Sequence, residues 1–330
     1  MGSQPLNVLA VVQAGRLQYE AVLLAASLAR ATANGNVQLW LAEPQPGPLW
    51  PGHDPRVTCA DTRALLEGFG ARILPFESRH FGARYPYGNK IEALFALPGG
   101  EPFLFLDTDT LVLDDLARVP FDFDRPTASL RREGTWPVIE LYGPGYREIW
   151  KALYDRFGLN FESSLDPAWP EGYWKRYLYF NAGFFFYRCP RVFGQRFLDT
   201  ALSIRDDPPA ALVCQPLDPW LDQIALPLVI HALGGGRDTL PAGLMDGSVT
   251  CHWRALPLLY AREPDATVAL LEDIAAPNRI KKVLKQYEPF RKVIYQGKGR
   301  KLRDQFDRGD LPRPEARLRK MIRNRNMWLR

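Results

Sequence analysis

Short apolar runs, spaced by proline- and glycine-rich breaks, set the pattern of this chain. The run Phe103-Leu-Phe-Leu106 is followed by Asp107-Thr-Asp109-Thr and then by Leu111-Val-Leu113. It predicts a strand buried on both faces, bounded upstream by Pro98-Gly99-Gly100 and Pro102. Upstream, the run over 6–12 predicts a first strand. An Ala- and Leu-rich helix over 17–31 follows, ending near Asn34-Gly35, and then a second strand over 37–41. This βαβ opening predicts a parallel sheet. A short helix over 62–69 and a short strand over 72–74 come next. A polar, aromatic stretch over 78–88 carries His80, Arg84, Tyr85 and Tyr87 and leads into a helix over 89–97. Further on, the pattern predicts a strand over 127–130 and an amphipathic helix over 145–157. It also predicts a strand over 177–188, interrupted by Asn181 and Gly183, and a helix over 191–204. A helix over 219–233 is expected, with Asp218 as N-cap and Gly234-Gly-Gly236 as its stop. A short strand over 249–254 contains His252.

Polar residues inside these runs are the candidates for chemistry. Two acids just after a buried strand are costly to bury unpaired. They are tolerable at the open carboxyl end of a parallel sheet, where α/β proteins bind ligands. There Asp107 and Asp109 can share a divalent cation that bridges two phosphate oxygens. The plainer alternative is a strand exit with solvated aspartates. Lys90 falls in a first helical turn, where its charge opposes the helix dipole, and gains a reason if an anion lies nearby. Asn181 offers donor and acceptor groups for sugar hydroxyls or phosphate, or satisfies a bulge. Gly183 marks close approach by a ligand or another backbone. Asp222 and Gln223 sit at a helix start, on the surface or on a pocket floor. His252 follows a strand as Asp107 does. A lone histidine is more often structural, but as a third ligand beside two carboxylates it suits Mn²⁺ better than Mg²⁺. Tyr19, early in the first helix, is either core or faces a planar base. No Gly-x-Gly-x-x-Gly follows the first strand, which argues against the usual dinucleotide fold.

Composition narrows the class. The 330 residues are 46% hydrophobic, enough for one large domain or one domain with an appendage. The four cysteines (Cys59, Cys189, Cys214, Cys251) are scattered without Cys-x-x-Cys, as in a reducing compartment. No apolar run reaches the about 18–20 residues of a transmembrane helix, and no secretory signal is expected. A cytoplasmic location is therefore expected. The net charge of +5 is uneven. Residues 279–330 hold 18 Lys and Arg against 5 Asp and Glu, a balance of +13, and leave −8 for the rest. This tail intersperses Tyr287, Phe290, Tyr295, Phe306, Met321, Met327 and Trp328 with its basic clusters. It reads either as a solvated helical appendage or as a peripheral contact with the anionic inner face of a membrane. No recognition module accompanies the charge, so no nucleic acid is expected as a partner.

Taken in order, these pieces resemble the GT-A glycosyltransferases, most closely glycosyltransferase family 8, the glycogenin and bacterial galactosyltransferase type. The resemblance rests on the βαβ opening with Tyr19, Asn-Lys90-Ile-Glu-Ala-Leu and Phe-Leu-Asp107-Thr-Asp109-Thr-Leu-Val-Leu. It continues through Phe-Asn181-Ala-Gly183-Phe, Asp222-Gln223 and His252-Trp253. It covers about the first 255 residues. The implied fold is α/β of the GT-A (nucleotide-diphospho-sugar transferase) type. Its Rossmann-like mixed central sheet is flanked by helices, with a catalytic domain over 1–255 and a basic, largely helical region over 256–330. The implied activity is metal-dependent transfer, with retention, from a nucleotide-sugar to a glycan, lipid-linked or cell-envelope acceptor. The expected donor is a UDP-sugar and the expected cofactor Mn²⁺ or Mg²⁺. Asp107, Asp109 and His252 would hold the metal against the diphosphate, with Lys90 on the phosphate or sugar. Asn181 and Asp222 would hold the donor sugar, with Gln223 near the reacting carbon. Val11, at the end of the first strand, and Tyr19 would lie by the base, and Thr108 and Gly183 would also contact the donor. The family's metal histidine is usually followed by a glycine and then Lys-Pro-Trp. Here His252-Trp-Arg-Ala-Leu-Pro stands instead, which makes Arg254 or the tail the candidate for the missing lysine.

Two other classes compete. Leu-Asp107-Thr-Asp109-Thr also looks like the first motif of haloacid-dehalogenase-type phosphatases. That motif usually lies on the first strand, whereas a complete βαβ unit precedes it here. A glycosyltransferase-like domain that binds without turnover is the other alternative.

Overall fold

The computed structural model describes residues 5–32, 36–131 and 136–330. Strands β1 (Leu6–Val11), β2 (Val37–Pro44), β3 (Arg72–Phe76) and β4 (Phe103–Leu106) are mutually parallel. Strand β7 (Asn181–Tyr187) pairs antiparallel with β4, and β6 (Ala128–Ser129) pairs antiparallel with β7, in the order β3-β2-β1-β4-β7-β6. Strands β5 (Thr110–Val112) and β8 (Thr250–His252) form a separate antiparallel pair just beyond the end of β4. The mixed α/β sheet flanked by helices is the architecture the sequence implied.

Strand alternation divides the core. Val8, Ala10, Leu104, Leu106, Phe184 and Phe186 face one side of the sheet. Leu9, Phe103, Phe105, Phe185 and Tyr187 face the other. All four residues of β4 are buried, each apolar side chain contributing roughly 1.5–3 kcal/mol. The first face is covered by α1 (Arg16–Ala31) and α2 (Ala60–Gly68). The second is covered by α3 (Asn89–Glu92), α4 (Tyr146–Arg156), α5 (Pro190–Asp206) and α6 (Leu221–Ala232).

The basic C-terminal region is packed onto the α1 face. It comprises α7 (Leu256–Arg262), α8 (Asp265–Ala275), α9 (Asn278–Leu284), α10 (Glu288–Phe290), α11 (Lys298–Arg303) and α12 (Glu315–Asn324). Its aromatic residues point inward. Phe290 and Phe306 are buried, Tyr287 stacks on Tyr19, and Trp328 packs against the same core. Among the described residues no helix is long and apolar enough to cross a membrane.

Several boundaries differ from the sequence reading. The strand expected over 177–188 spans only Asn181–Tyr187, and Tyr177 to Phe180 before it are buried without joining the sheet. The helix expected from 219 starts at Leu221, with Trp220 at its cap and no side-chain capping bond, so Asp218 does not cap it. The helix expected over 89–97 tightens after Glu92 into a 3₁₀ turn, Ala93–Ala96. Helix α6 does stop at the glycines. Gly234 holds φ 77° and its amide donates to His231 O, while the Gly235 amide donates to Ile230 O, the paired bonds of a Schellman stop. The end of α1 expected near Asn34-Gly35 lies outside the described residues.

Candidate active site

Two strand pairings assemble the centre of the site. β4 delivers Asp107 at its carboxyl end, and the Asp107 amide donates to Gly183 O of β7 (2.9 Å). The β5–β8 register sets Thr110 opposite His252, and the Trp253 amide donates to Asp109 O (2.9 Å). His252 Nε2 thereby lies 3.1 Å from Asp109 Oδ1 and 3.7 Å from Asp107 Oδ2. Asp107, Asp109 and His252 each offer a ligand atom, all within 4.8 Å of one another. Two carboxylates and an imidazole converging on one point fit a divalent cation. Burial disfavours charged His252, yet Asp109 and Asp107 outweigh it and push its pKa up to about 9. Burial likewise raises Asp109, and His252 outweighs that, holding the carboxyl below the usual range. Carboxylates this close hold a proton on the imidazole that a cation would replace.

Gly183 explains itself in this geometry. A Cβ there would fall 2.2 Å from His252 Nδ1 and 2.9 Å from Asn181 Oδ1. The glycine gives the imidazole its place against β7. The close approach expected at this position is therefore made by a protein side chain.

The centre opens into a cavity of about 600 Å³. On the Asp107 side, Lys90 Nζ donates to Asp107 Oδ1 (3.0 Å) and Ala182 O (3.1 Å) and stands 3.5 Å from Asp222 Oδ2. Burial opposes the ammonium charge, but Asp107 and Asp222 more than offset it, and the Lys90 pKa is raised. Asp222, in the first turn of α6, is pushed up by burial, with Lys90 and Tyr85 restraining the shift. The Tyr85 hydroxyl donates to Asp222 Oδ1 (2.9 Å) and accepts from the Asp222 amide (3.0 Å). Asn181 Oδ1 accepts from the Gly183 amide (3.0 Å), and Gln223 Oε1 accepts from the Tyr179 hydroxyl (3.1 Å). Both side-chain oxygens are thus occupied by the protein.

The Asp109 side is different. Arg16 lies 3.9 Å from Asp109 Oδ2 and is ion-paired with Glu20, which also accepts from Thr108 Oγ1 (3.0 Å). Glu20 is fully buried, and burial together with Asp109 pushes it up to about 8 despite Arg16. Arg254 adopts φ 61°, a left-handed conformation that costs a non-glycine residue about 1 kcal/mol or more. Its Nη2 donates to Arg131 O (2.9 Å), and its Nη1 lies 3.6 Å from Glu315. Burial lowers Arg254 to about 10.

Val11, Thr108, Asn181, Asp222, Gln223 and Arg254 all line this cavity, together with Lys90 and the three convergent ligands. Tyr19 instead stacks on Tyr287, with ring centroids 5.2 Å apart and planes at 7°. Tyr85, Glu20, Arg16, Glu315 and Arg319 were not singled out as site residues in the sequence. Arg16 and Glu20 have only the i,i+4 spacing of a common helical ion pair, and Tyr85 reads as one member of a polar stretch. Only the burial of Glu20 and the approach of α6 to Tyr85 reveal their place.

The fold these features define is an α/β fold of the GT-A type: a mixed sheet with an Asp-x-Asp turn at the end of its central strand, facing a cavity. Residues 8–234 match the family model described as Rhodobacterales glycosyltransferase domain, and the chain belongs to that family. No curated protein matches the sequence. Similar solved structures include the galactosyltransferase LgtC in complex with donor and acceptor sugar analogues. It is 15% identical with TM-score 0.41, over 70% of this chain and 72% of that one. The bifunctional glycosyltransferase WbbM is 13% identical with TM-score 0.44, over 87% and 52%. Mouse xyloside xylosyltransferase 1 is 13% identical with TM-score 0.37, over 69% and 81%.

Proposed function

We propose that this glycosyltransferase moves a sugar, with retention, from a nucleotide-diphosphate-sugar to a glycan or lipid-linked acceptor, and that its donor is a UDP-sugar. The reading is carried by the convergence of Asp107, Asp109 and His252 on one point of the cavity. These three would hold Mn²⁺ or Mg²⁺. The cation, when bound, supplies charge stabilisation for the departing diphosphate, with no protein nucleophile needed for that role.

The chain's own groups supply positioning. Lys90, fixed by Asp107 and Asp222, presents its ammonium to a phosphate or sugar oxygen. Asn181 and Gln223, their oxygens already bonded within the protein, keep amide N–H donors for sugar hydroxyls. Asp222, held by Tyr85, accepts from a donor hydroxyl, and Gln223 beside it lies near the reacting carbon. Val11, Thr108 and Arg254 complete the donor contacts. The order of these motifs favours family 8 within the glycosyltransferases. We assign the catalytic domain to 1–255 and the basic helical region to 256–330. A cytoplasmic location and peripheral contact of that region with anionic membrane belong to the same reading.

The phosphatase alternative gains nothing from the geometry. Asp206 and Asp207, a later pair of adjacent acids, lie at the end of α5 and pair with Arg205 and Arg156. A thermal-shift panel of UDP-, GDP-, CMP- and dTDP-sugars, each with and without Mn²⁺, tests the proposal. A ligand that binds only the folded state raises the melting temperature by mass action. A Mn²⁺-dependent rise with UDP-sugars is expected. No rise with any nucleotide-sugar would overturn the reading.

A further inference from the structure

The two oxygens of the Asp109 carboxylate face different groups. Oδ1 lies 3.1 Å from His252 Nε2, within the metal triad, and Oδ2 lies 3.9 Å from Arg16 Nη1. The same Arg16 nitrogen bonds Glu20 Oε1. One guanidinium nitrogen thus stands between two carboxyl groups, one from the triad and one from α1. Arg16 is in an awkward place for a cation. It is the first residue of α1, where positive charge opposes the helix dipole, and the first turn holds no acid. It also lines the cavity beside the proposed cation site, where a divalent ion would repel it.

Glu20 is what holds it. Glu20 is fully buried, one helical turn beyond Arg16, and both of its oxygens are engaged. Oε1 accepts from Arg16, and Oε2 is bonded to Thr108 Oγ1 (3.0 Å). Thr108 is 4% exposed and stands between the two triad aspartates. A buried carboxyl group is costly unless it is bonded, and both bonds of Glu20 go to the surroundings of Asp109. The contact with Arg16 does not depend on the charge of Glu20. A carboxyl oxygen accepts with or without a proton on its neighbour, and the Thr108 hydroxyl can donate or accept.

We propose that Glu20 is a positioning residue for the cation site and that it acts by holding Arg16 off Asp109. Arg16 and the divalent ion compete for the same carboxylate. With Glu20 as its partner, the guanidinium stops 3.9 Å from Asp109 Oδ2. Without Glu20, Asp109 is the carboxylate left within its reach, and a direct ion pair there would occupy a ligand of the metal. The bond to Thr108 is a second hold, fixing the back of the Asp107-Thr-Asp109 turn. This role of Glu20 rests on the metal reading of the triad, and the competition with Arg16 is an addition to it.

Titration of the full chain with Mn²⁺ alone, followed by the electron paramagnetic resonance signal of the free ion, tests this. The wild type is expected to bind. Glu20→Leu should weaken binding about tenfold or more, the usual scale for losing a group that supports a metal ligand. Glu20→Leu combined with Arg16→Met should recover most of the lost affinity, because the competitor is gone. Replacing a buried pair by apolar groups of similar size is often neutral for folding. A purely structural role for Glu20 would leave the double variant as weak as the single one. Arg30→Ala removes a like charge from the exposed last turn of α1 and should bind like the wild type. Thermal melting of each variant shows whether it folds. If Glu20→Leu does not fold, Arg16→Met decides alone, and it should bind Mn²⁺ more tightly than the wild type. Three results would overturn the proposal and leave the metal reading standing: wild-type affinity in a folded Glu20→Leu protein, a double variant no tighter than the single one, or weaker binding in Arg16→Met. Absence of Mn²⁺ binding to the wild type would overturn both.

Discussion

The two acids of the Asp107-Thr-Asp109 turn face opposite surroundings. Asp107 meets Lys90, Ala182 and, through Lys90, Asp222, groups drawn from α3, β7 and α6. Asp109 meets His252 and Arg16, with Arg254, Glu315 and Arg319 along the neighbouring wall. The first neighbourhood is mostly amides, one ammonium and carboxylates held by hydrogen bonds. The second is mostly guanidinium. One turn thus faces two chemically different surroundings. The Lys90 end has the mixed donors and acceptors that suit hydroxyls. The arginine end has the planar charge that suits phosphate. The Lys90 end also lies wholly within the matched family region, residues 8–234, whereas Arg254, Glu315 and Arg319 lie beyond it. Substitutions at each end test whether the two surroundings act on the donor differently.

Asp109→Asn should have the largest effect, because it removes a charge from the proposed cation site shared by both ends. Transfer is expected to fall to background while the melting temperature stays near that of the wild type. Full activity in that variant would sink the metal assignment. Gly183→Ala comes next. Its Cβ would lie 2.2 Å from His252 Nδ1, so the imidazole or β7 must shift. Overpacking of this kind costs about 1–3 kcal/mol, and a chemical melt should show it alongside lost Mn²⁺-dependent activity. An active, fully stable Gly183→Ala protein would mean that the ring position does not matter. Tyr85→Phe should be milder and confined to one end. It deletes the hydroxyl that bonds Asp222 twice, a loss of about 1–3 kcal/mol at a buried carboxylate. We expect kcat/KM to drop about tenfold while pyrophosphate affinity is kept. An equal loss of pyrophosphate binding would blur the two ends into one. Smallest of all, Lys282→Ala breaks an exposed pair with Asp61 (2.7 Å) and should change stability by no more than about 1 kcal/mol in a thermal melt.

The Asp107 end was the more legible in the sequence. The apolar run ending at Leu106 names its own strand, and the acids after it can only lie at the strand's open end. Asn181 and Gly183 interrupt a strand pattern, and Asp222 with Gln223 interrupts a helical one, so each announces itself as an exception. The Asp109 end has no such grammar. Glu20 and Arg16 have the spacing of any solvated pair, and no periodicity marks Glu20 as fully buried. Glu315 sits in a run of charged residues, Glu-Ala-Arg-Leu-Arg-Lys, that reads as an exposed helix. Only tertiary packing turns its Glu315 and Arg319 toward the cavity, with Leu318 and Ile322 buried beneath. Tyr19 shows the same limit from the other side. An aromatic early in α1 could face a base or the core, and it stacks on Tyr287 of the C-terminal region, about 270 residues away in sequence. Contacts at that separation leave no local pattern to read.

The most direct measurement is a Mn²⁺ titration of the full-length chain in the presence of UDP, followed by the electron paramagnetic resonance signal of the free ion. One Mn²⁺ bound per chain, lost in Asp109→Asn and in His252→Ala, is the expected result. An undiminished free-ion signal, or equal binding in the two variants, would contradict a metal-dependent donor site built on Asp107, Asp109 and His252.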